Sequence, residues 1–167
     1  MTPFIKITRF PYEEPYILHI LMEASSGTLG GQLEFYINAN DLIVLADKLE
    51  VFPQHPGAVY LWKLGSEKPE DRFAYYFRFR VFTTDSVGHC AIQLRFNNNK
   101  GLPDREISEF CILVDPASLN HLGKLFREFG KLKHEVLYWE PNNGCLFSTQ
   151  KDAEQALPNG SRWFNSL

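Results

Sequence analysis

The side chains best suited to recognition lie on two predicted strands in the middle of the chain. Residues 73–82 alternate polar and apolar side chains, and a turn at 83–88 returns the chain through 89–96 as a hairpin. Successive strand residues point to opposite faces. One face therefore carries Tyr76, Arg78, Arg80, His89, Gln93 and Arg95. Arginine and tyrosine are enriched in interface hot spots, so we predict that these six residues bind a partner or ligand.

Two other interpretations of this face stay open. It can be a solvated sheet surface with cross-strand ion pairs, or its three arginines can hold a small anionic ligand or substrate. These interpretations differ in whether the carboxylates of Asp85, Glu106 and Glu109 pair with the arginines. Arginines paired with those acids would leave little free charge for a ligand.

Other residues that could do chemistry have simpler explanations. The five histidines are scattered without metal-ligand spacing, so we expect no metal. His89 and Cys90 are adjacent in a strand and point to opposite faces, which prevents a direct nucleophile and base pair. The glycine-rich segment 27–31 leads into a strand and lacks the lysine of a phosphate loop. Polar residues at 38–41 are explained by helix capping, not calcium. We therefore expect neither catalysis nor a cofactor.

Composition limits the class of protein. The chain has 167 residues, a typical size for one domain, and its 14% aromatic content favours strands. A net charge of −3 argues against sequence-independent binding to nucleic acid or to an anionic membrane. Three cysteines without C-x-x-C spacing fit reduced thiols, and residues 1–10 hold no apolar run long enough for a signal peptide or a membrane span. The expectation is a soluble cytoplasmic protein forming a single domain over residues 1–167.

Periodicity predicts an α+β fold built from a duplicated unit. Strands are predicted at 4–10, 16–24, 32–37, 58–62, 73–82, 89–96, 105–114 and 136–139, and helices at 39–51, 116–130 and 149–157. The apolar offsets of the first two helices match position for position, which indicates βββα repeats at about 4–52 and 73–130, followed by an extension at 131–167. The predicted architecture is a largely antiparallel sheet with both helices on one face.

Five aromatic residues outside the repeats form a further apolar reserve: Tyr60, Trp62, Trp139, Trp163 and Phe164. They either cover the edges of the sheet or leave an exposed patch for self-association. A homodimer is therefore one prediction for this protein.

Four segments carry a resemblance to a known family. They are Gly-Gly-Gln-Leu-Glu-Phe at 30–35, the Asp-Leu-x-x-Leu-Ala-x-x-Leu helix at 41–49, Gly-His-Cys-Ala-Ile at 88–92 and Leu-x-x-Leu-x-x-Leu at 119–125. Over residues 16–130 the chain resembles WapI-like immunity proteins of bacteria and related uncharacterised families. The resemblance implies a non-enzymatic protein that binds a partner protein and blocks its active surface, with electrostatic complementarity setting partner choice.

Overall fold

The strands of this computed structural model, which describes residues 2–157, form two antiparallel sheets. The strands are β1 (Phe4–Phe10), β2 (Leu18–Ser25), β3 (Gly30–Ile37), β4 (Val59–Gly65), β5 (Tyr76–Thr83), β6 (Cys90–Asn97), β7 (Ile107–Val114), β8 (Val136–Glu140) and β9 (Asn143–Phe147). The helices are α1 (Ala39–Leu49), α2 (Pro116–Phe129) and α3 (Gln150–Ala156). A five-stranded sheet has the order β3-β2-β1-β8-β9, and a four-stranded sheet has the order β4-β5-β6-β7.

The α+β class and the antiparallel pairing are confirmed, but one sheet was predicted where there are two. The sheets meet without a shared hydrogen-bonded ladder. Instead, Ser108 Oγ in β7 donates to the carbonyl of Gly30 in β3 at 2.6 Å. A Cβ at Gly31 would lie 2.8 Å from Ser108 Cβ, so glycine permits this close approach. Duplication of a βββα unit stays a prediction.

The C-terminal extension completes the five-stranded sheet. β8 pairs antiparallel with β1, matching the predicted strand at 136–139. β9 was missed, because Gly144 within 141–144 indicated a turn alone, whereas β9 begins at Asn143 and pairs with β8. The predicted helix at 149–157 corresponds to α3. Residues 158–167 lie outside the described part of the chain.

Both long helices pack their predicted apolar stripes into the core. The buried stripe residues are Leu42, Leu45, Ala46, Leu49, Leu119, Leu122, Gly123, Phe126 and Phe129. They join buried side chains of both sheets in one hydrophobic core. Carboxylates cap the starts of both helices: Asp41 Oδ2 accepts from the Asn38 N–H at 3.0 Å, and Asp115 Oδ1 accepts from the Ser118 N–H at 2.7 Å.

Among residues 2–157, no helix combines the length and apolar character needed to cross a membrane.

Candidate binding surface on the four-stranded sheet

The ladder between β5 and β6 places five of the six predicted site residues on one face. Arg78 is opposite Arg95, and Arg80 is opposite Gln93. Tyr76 extends the same face, whereas the intervening side chains of β5 are fully buried in the core. We call the face away from the core the outer face.

His89, the sixth predicted residue, lies before β6 in the hairpin turn. Its Nδ1 contacts Asp85 Oδ2, and Asp85 Oδ1 accepts the backbone N–H groups of Val87 and His89 at 3.0 and 3.1 Å. The hydrogen bond from His89 is the main reason that the pKa of Asp85 is lowered. His89 therefore helps to organise the turn at the end of the outer face.

Two of the three arginines are paired with carboxylates. Arg78 Nη2 contacts Glu109 Oε1. Arg95 binds Glu67 through two hydrogen bonds, Nε to Oε1 at 2.9 Å and Nη2 to Oε2 at 2.8 Å, and its Nη1 lies 3.9 Å from Glu109 Oε2. The hydrogen bond from Arg95 is the main cause that lowers the pKa of Glu67.

Glu109 was predicted as a possible partner of the arginines, and Glu67 was not. Glu67 lies in the loop after β4 and also accepts from Asn97 Nδ2 at 2.7 Å. Twenty-eight positions separate Glu67 from Arg95. Local sequence patterns contain no signal for a contact of that separation, because strand alternation fixes a face but not the loop that folds over it.

Two cations of the outer face have no carboxylate within ion-pair distance in the described chain. The Arg80 guanidinium lies 4.4 Å from the centre of the Phe82 ring, a cation–π contact. Lys63 of β4 is exposed, and its register partner on β5 is Arg78. Leu61 is opposite Arg80, so these two cations lie on either side of Leu61.

Exposed apolar side chains border the charged centre of this face. They are Val59 (56% exposed), Leu61 (46%), Ile107 (49%) and Leu113 (75%). Val59, Phe82, Ala91 and Leu113 form one continuous row across the four strands. Local patterns predicted only an isolated short strand at 58–62 and gave no indication of this apolar border.

The corresponding face of the five-stranded sheet is covered. Lys6, Thr8 and Glu23 are polar residues of this face, yet each is buried. Gln150, Ala153 and Glu154 of α3 line a cavity of about 220 Å³ together with these three residues, and Ala153 is itself buried. The two sheets therefore differ within residues 2–157: polar side chains on this face of the five-stranded sheet are buried, whereas the outer face of the four-stranded sheet keeps apolar side chains exposed.

The groups near His89 are not arranged for nucleophilic catalysis. A cavity of about 430 Å³ lies beside His89, Cys90 and Ser118. Cys90 Sγ donates to the Gly88 carbonyl at 3.2 Å, and burial, with nearby Asp85, raises the pKa of its thiol. Ser118 Oγ donates to Asn142 Oδ1 at 3.1 Å. The thiol therefore stays protonated near neutral pH, and within residues 2–157 the Ser118 hydroxyl donates to an amide oxygen and not to a carboxylate or an imidazole.

Within residues 2–157, no group of three or more His, Cys, Asp or Glu side chains is arranged to hold a metal ion.

The predicted aromatic reserve is divided between core and surface. Trp139 is fully buried and donates its Nε1 hydrogen to the Ser118 carbonyl at 3.1 Å, so it belongs to the core and not to a self-association patch. Tyr60 and Trp62 are half-buried on β4. Trp163 and Phe164 lie outside the described residues.

Comparison of the chain with protein-family models, curated proteins and solved structures gave no match.

Proposed function

We propose that this protein is a non-enzymatic protein-binding module and that the outer face of the four-stranded sheet is its binding surface. The observation that carries the proposal is the difference between the two sheets. Polar residues on the outer side of the five-stranded sheet are buried, whereas the other sheet leaves Leu113 75% exposed on a face that also displays tyrosine and arginine. A rigid surface of exposed apolar and arginine side chains is suited to protein association.

The pairing of the arginines supports a protein partner over a small anion. Glu109 and Glu67 neutralise much of the charge of Arg78 and Arg95. Arg80 alone among the three has no carboxylate partner in the described chain, so an anion would find Arg80 and Lys63 beside exposed Leu61 and no cluster of unpaired arginines there. Paired arginines can still donate remaining hydrogen bonds to a protein surface.

The resemblance to WapI-like immunity proteins supports a more specific role. The protein would neutralise a bacterial partner protein in the cytoplasm by covering its active surface. Binding through a sheet face would require no catalytic group.

Affinity capture from a lysate of the source organism, read by mass spectrometry, tests the proposal. The variants should be Leu113→Asp and Arg80→Glu, because charge reversal at Arg78 or Arg95 would place a carboxylate against Glu109 or Glu67. Leu102→Asp is the matched control: it changes the same residue type at 79% exposure in a loop.

The expected result is one protein enriched by the native chain and by the control, and lost with both face variants. Retention of that protein by both variants would contradict the assigned surface. Turnover of a substrate by the purified protein, abolished by a single substitution, would contradict the non-enzymatic role.

A further inference from the structure

Among the strands of residues 2–157, β4 lies at an edge of its sheet and has no strand on its outer side. β3 and β7 meet where Ser108 bonds Gly30. β9 lies against α2, since a Cβ at Gly144 would come within 2.7 Å of Leu125 Cδ1. β4, in contrast, pairs within the described part of the chain with β5 and with no second strand. Exposed edges are the usual place where a sheet accepts a further strand.

The backbone of β4 presents three residues to that edge. The Thr83 N–H donates to the Ala58 carbonyl at 3.3 Å, so the carbonyl of residue 58 faces β5. In an antiparallel strand the direction alternates with each residue. The N–H and C=O groups of Val59, Leu61 and Lys63 therefore point away from β5, and none has a backbone partner within the described chain.

The side chains at this edge differ between the two faces. On the outer face, Lys63 and Arg80 lie beside Leu61, and neither has a carboxylate within ion-pair distance among residues 2–157. On the opposite face, Tyr60 and Trp62 are half-buried apolar rings, with Trp62 packed edge-on against Phe77 at a centroid distance of 5.2 Å. An added strand would thus meet positive charge on one face and aromatic surface on the other.

We propose that β4 receives an extended segment of the partner protein in which acidic and apolar residues alternate. This inference rests on the proposed function, since it states how the partner binds. Alternate side chains of a strand point to opposite faces, so the acidic residues would reach Lys63 and Arg80 while the apolar residues cover Tyr60 and Trp62. A second copy of β4 fits less well, because it would bring two sets of these cations to one edge.

Synthetic peptides provide the test with the full-length protein. The probe is a fluorescent peptide of alternating Glu and Val, compared with an otherwise identical Lys and Val peptide and with a proline-interrupted acidic peptide. Fluorescence anisotropy should show that the acidic peptide binds at least about tenfold more tightly than either comparison peptide at low salt. Equal binding of the acidic and basic peptides, or no binding of the acidic one, would overturn the inference.

Two protein variants separate edge pairing from simple charge attraction. Leu61→Pro removes an N–H that points away from β5, so it blocks the edge without breaking a hydrogen bond to β5. Leu61→Ala is its control, because it removes the same side chain but keeps the N–H. We expect the proline variant to bind the acidic peptide at least about tenfold more weakly than the alanine variant. Lys63→Glu should reverse the preference toward the basic peptide. Equal binding by the Pro and Ala variants would refute strand addition.

Hydrogen exchange gives a readout that does not depend on the proline variant folding. Bound acidic peptide should slow exchange of the Val59, Leu61 and Lys63 amides in the native protein, and unchanged exchange at these amides would overturn the inference. If sedimentation of the protein alone showed a dimer lost in Leu61→Pro, the edge would belong to a second copy. A captured partner that persists with Leu61→Pro but is lost with Leu113→Asp would refute edge docking and leave the proposed function intact.

Discussion

The side chain of Asn120 in α2 donates a hydrogen bond to the backbone carbonyl of Leu49 at the end of α1, with an N···O distance of 2.7 Å. The same Nδ2 donates to the Phe52 carbonyl at 2.9 Å. The last carbonyls of a helix lack intrahelical partners, so this amide satisfies α1 from a neighbouring helix. The contact fixes the two helices relative to each other on the core side of the sheets.

Replacing Asn120 with Ala should therefore destabilise the fold. The loss leaves two partly buried carbonyls without this donor, and we expect the free energy of unfolding to fall by about 1–3 kcal/mol. Urea denaturation followed by circular dichroism measures it. Asn40→Ala is the control, because Asn40 is exposed on α1. A similar loss in both variants would show that the interhelical hydrogen bond contributes little.

Gly123 lets α2 approach α1 closely. A Cβ at this position would lie 2.8 Å from the Glu50 backbone nitrogen and 2.9 Å from Leu49 Cβ. Gly123→Ala would gain about 1 kcal/mol of helix propensity, yet we expect a net destabilisation of about 1–3 kcal/mol, because the backbone of α1 must move. Gly101→Ala is the comparison, with no atom within 4 Å of the added Cβ. If Gly123→Ala were more stable than the native protein in urea denaturation, this packing would be contradicted.

The ion pair of Glu67 with Arg95 should make stability depend on pH. Hydrogen bonding to Arg95 lowers the folded-state pKa of Glu67 below its ordinary value of 4.5. A carboxylate with a depressed pKa contributes stability above its unfolded pKa and loses that contribution as the pH falls through the folded pKa. The effect is modest, because the Glu67 side chain is 36% exposed to solvent.

Lowering the pH from 7 to well below 4.5 should therefore reduce the melting temperature of Glu67→Gln less than that of the native protein. Differential scanning calorimetry at several pH values measures the difference. Glu70→Gln serves as the control, since Glu70 is exposed and forms no ion pair within the described residues. Parallel pH curves for the native and Glu67→Gln proteins would show that this pair does not contribute.

The three thiols should differ in reactivity according to burial. Cys111 and Cys145 are exposed, whereas Cys90 is 1% exposed. In the folded protein a thiol reagent should label the first two, and Cys90 should react only after denaturation. Burial raises the pKa of all three thiols, so labelling at neutral pH should be slow and should accelerate as the pH rises. Rapid labelling of native Cys90 would contradict its placement.

Cys111 also reports on the binding surface. It is opposite Gln93 on the outer face, whereas Cys145 lies on β9 of the other sheet. A protein bound to the outer face should protect Cys111 and leave Cys145 reactive, which makes Cys145 an internal control.

Local periodicity was enough to predict the two long helices and the polar face of the β5–β6 hairpin. The helical stripes, from Leu42 to Leu49 and from Leu119 to Phe129, are buried as predicted. Strand alternation likewise assigned Arg78, Arg80 and Arg95 to one face. These features follow from side chains a few residues apart, and such spacing is visible in the sequence.

Only the tertiary structure decided which groups meet across long sequence separations. It split the strands into two sheets, paired Glu67 with Arg95, buried Lys6 and Glu23, and left the β4 edge uncovered within residues 2–157. An alternating pattern states that a strand has an inner and an outer side, but it does not state which strand lies beside it. That choice depends on packing of the whole core, because register and edge coverage are set by all the elements together.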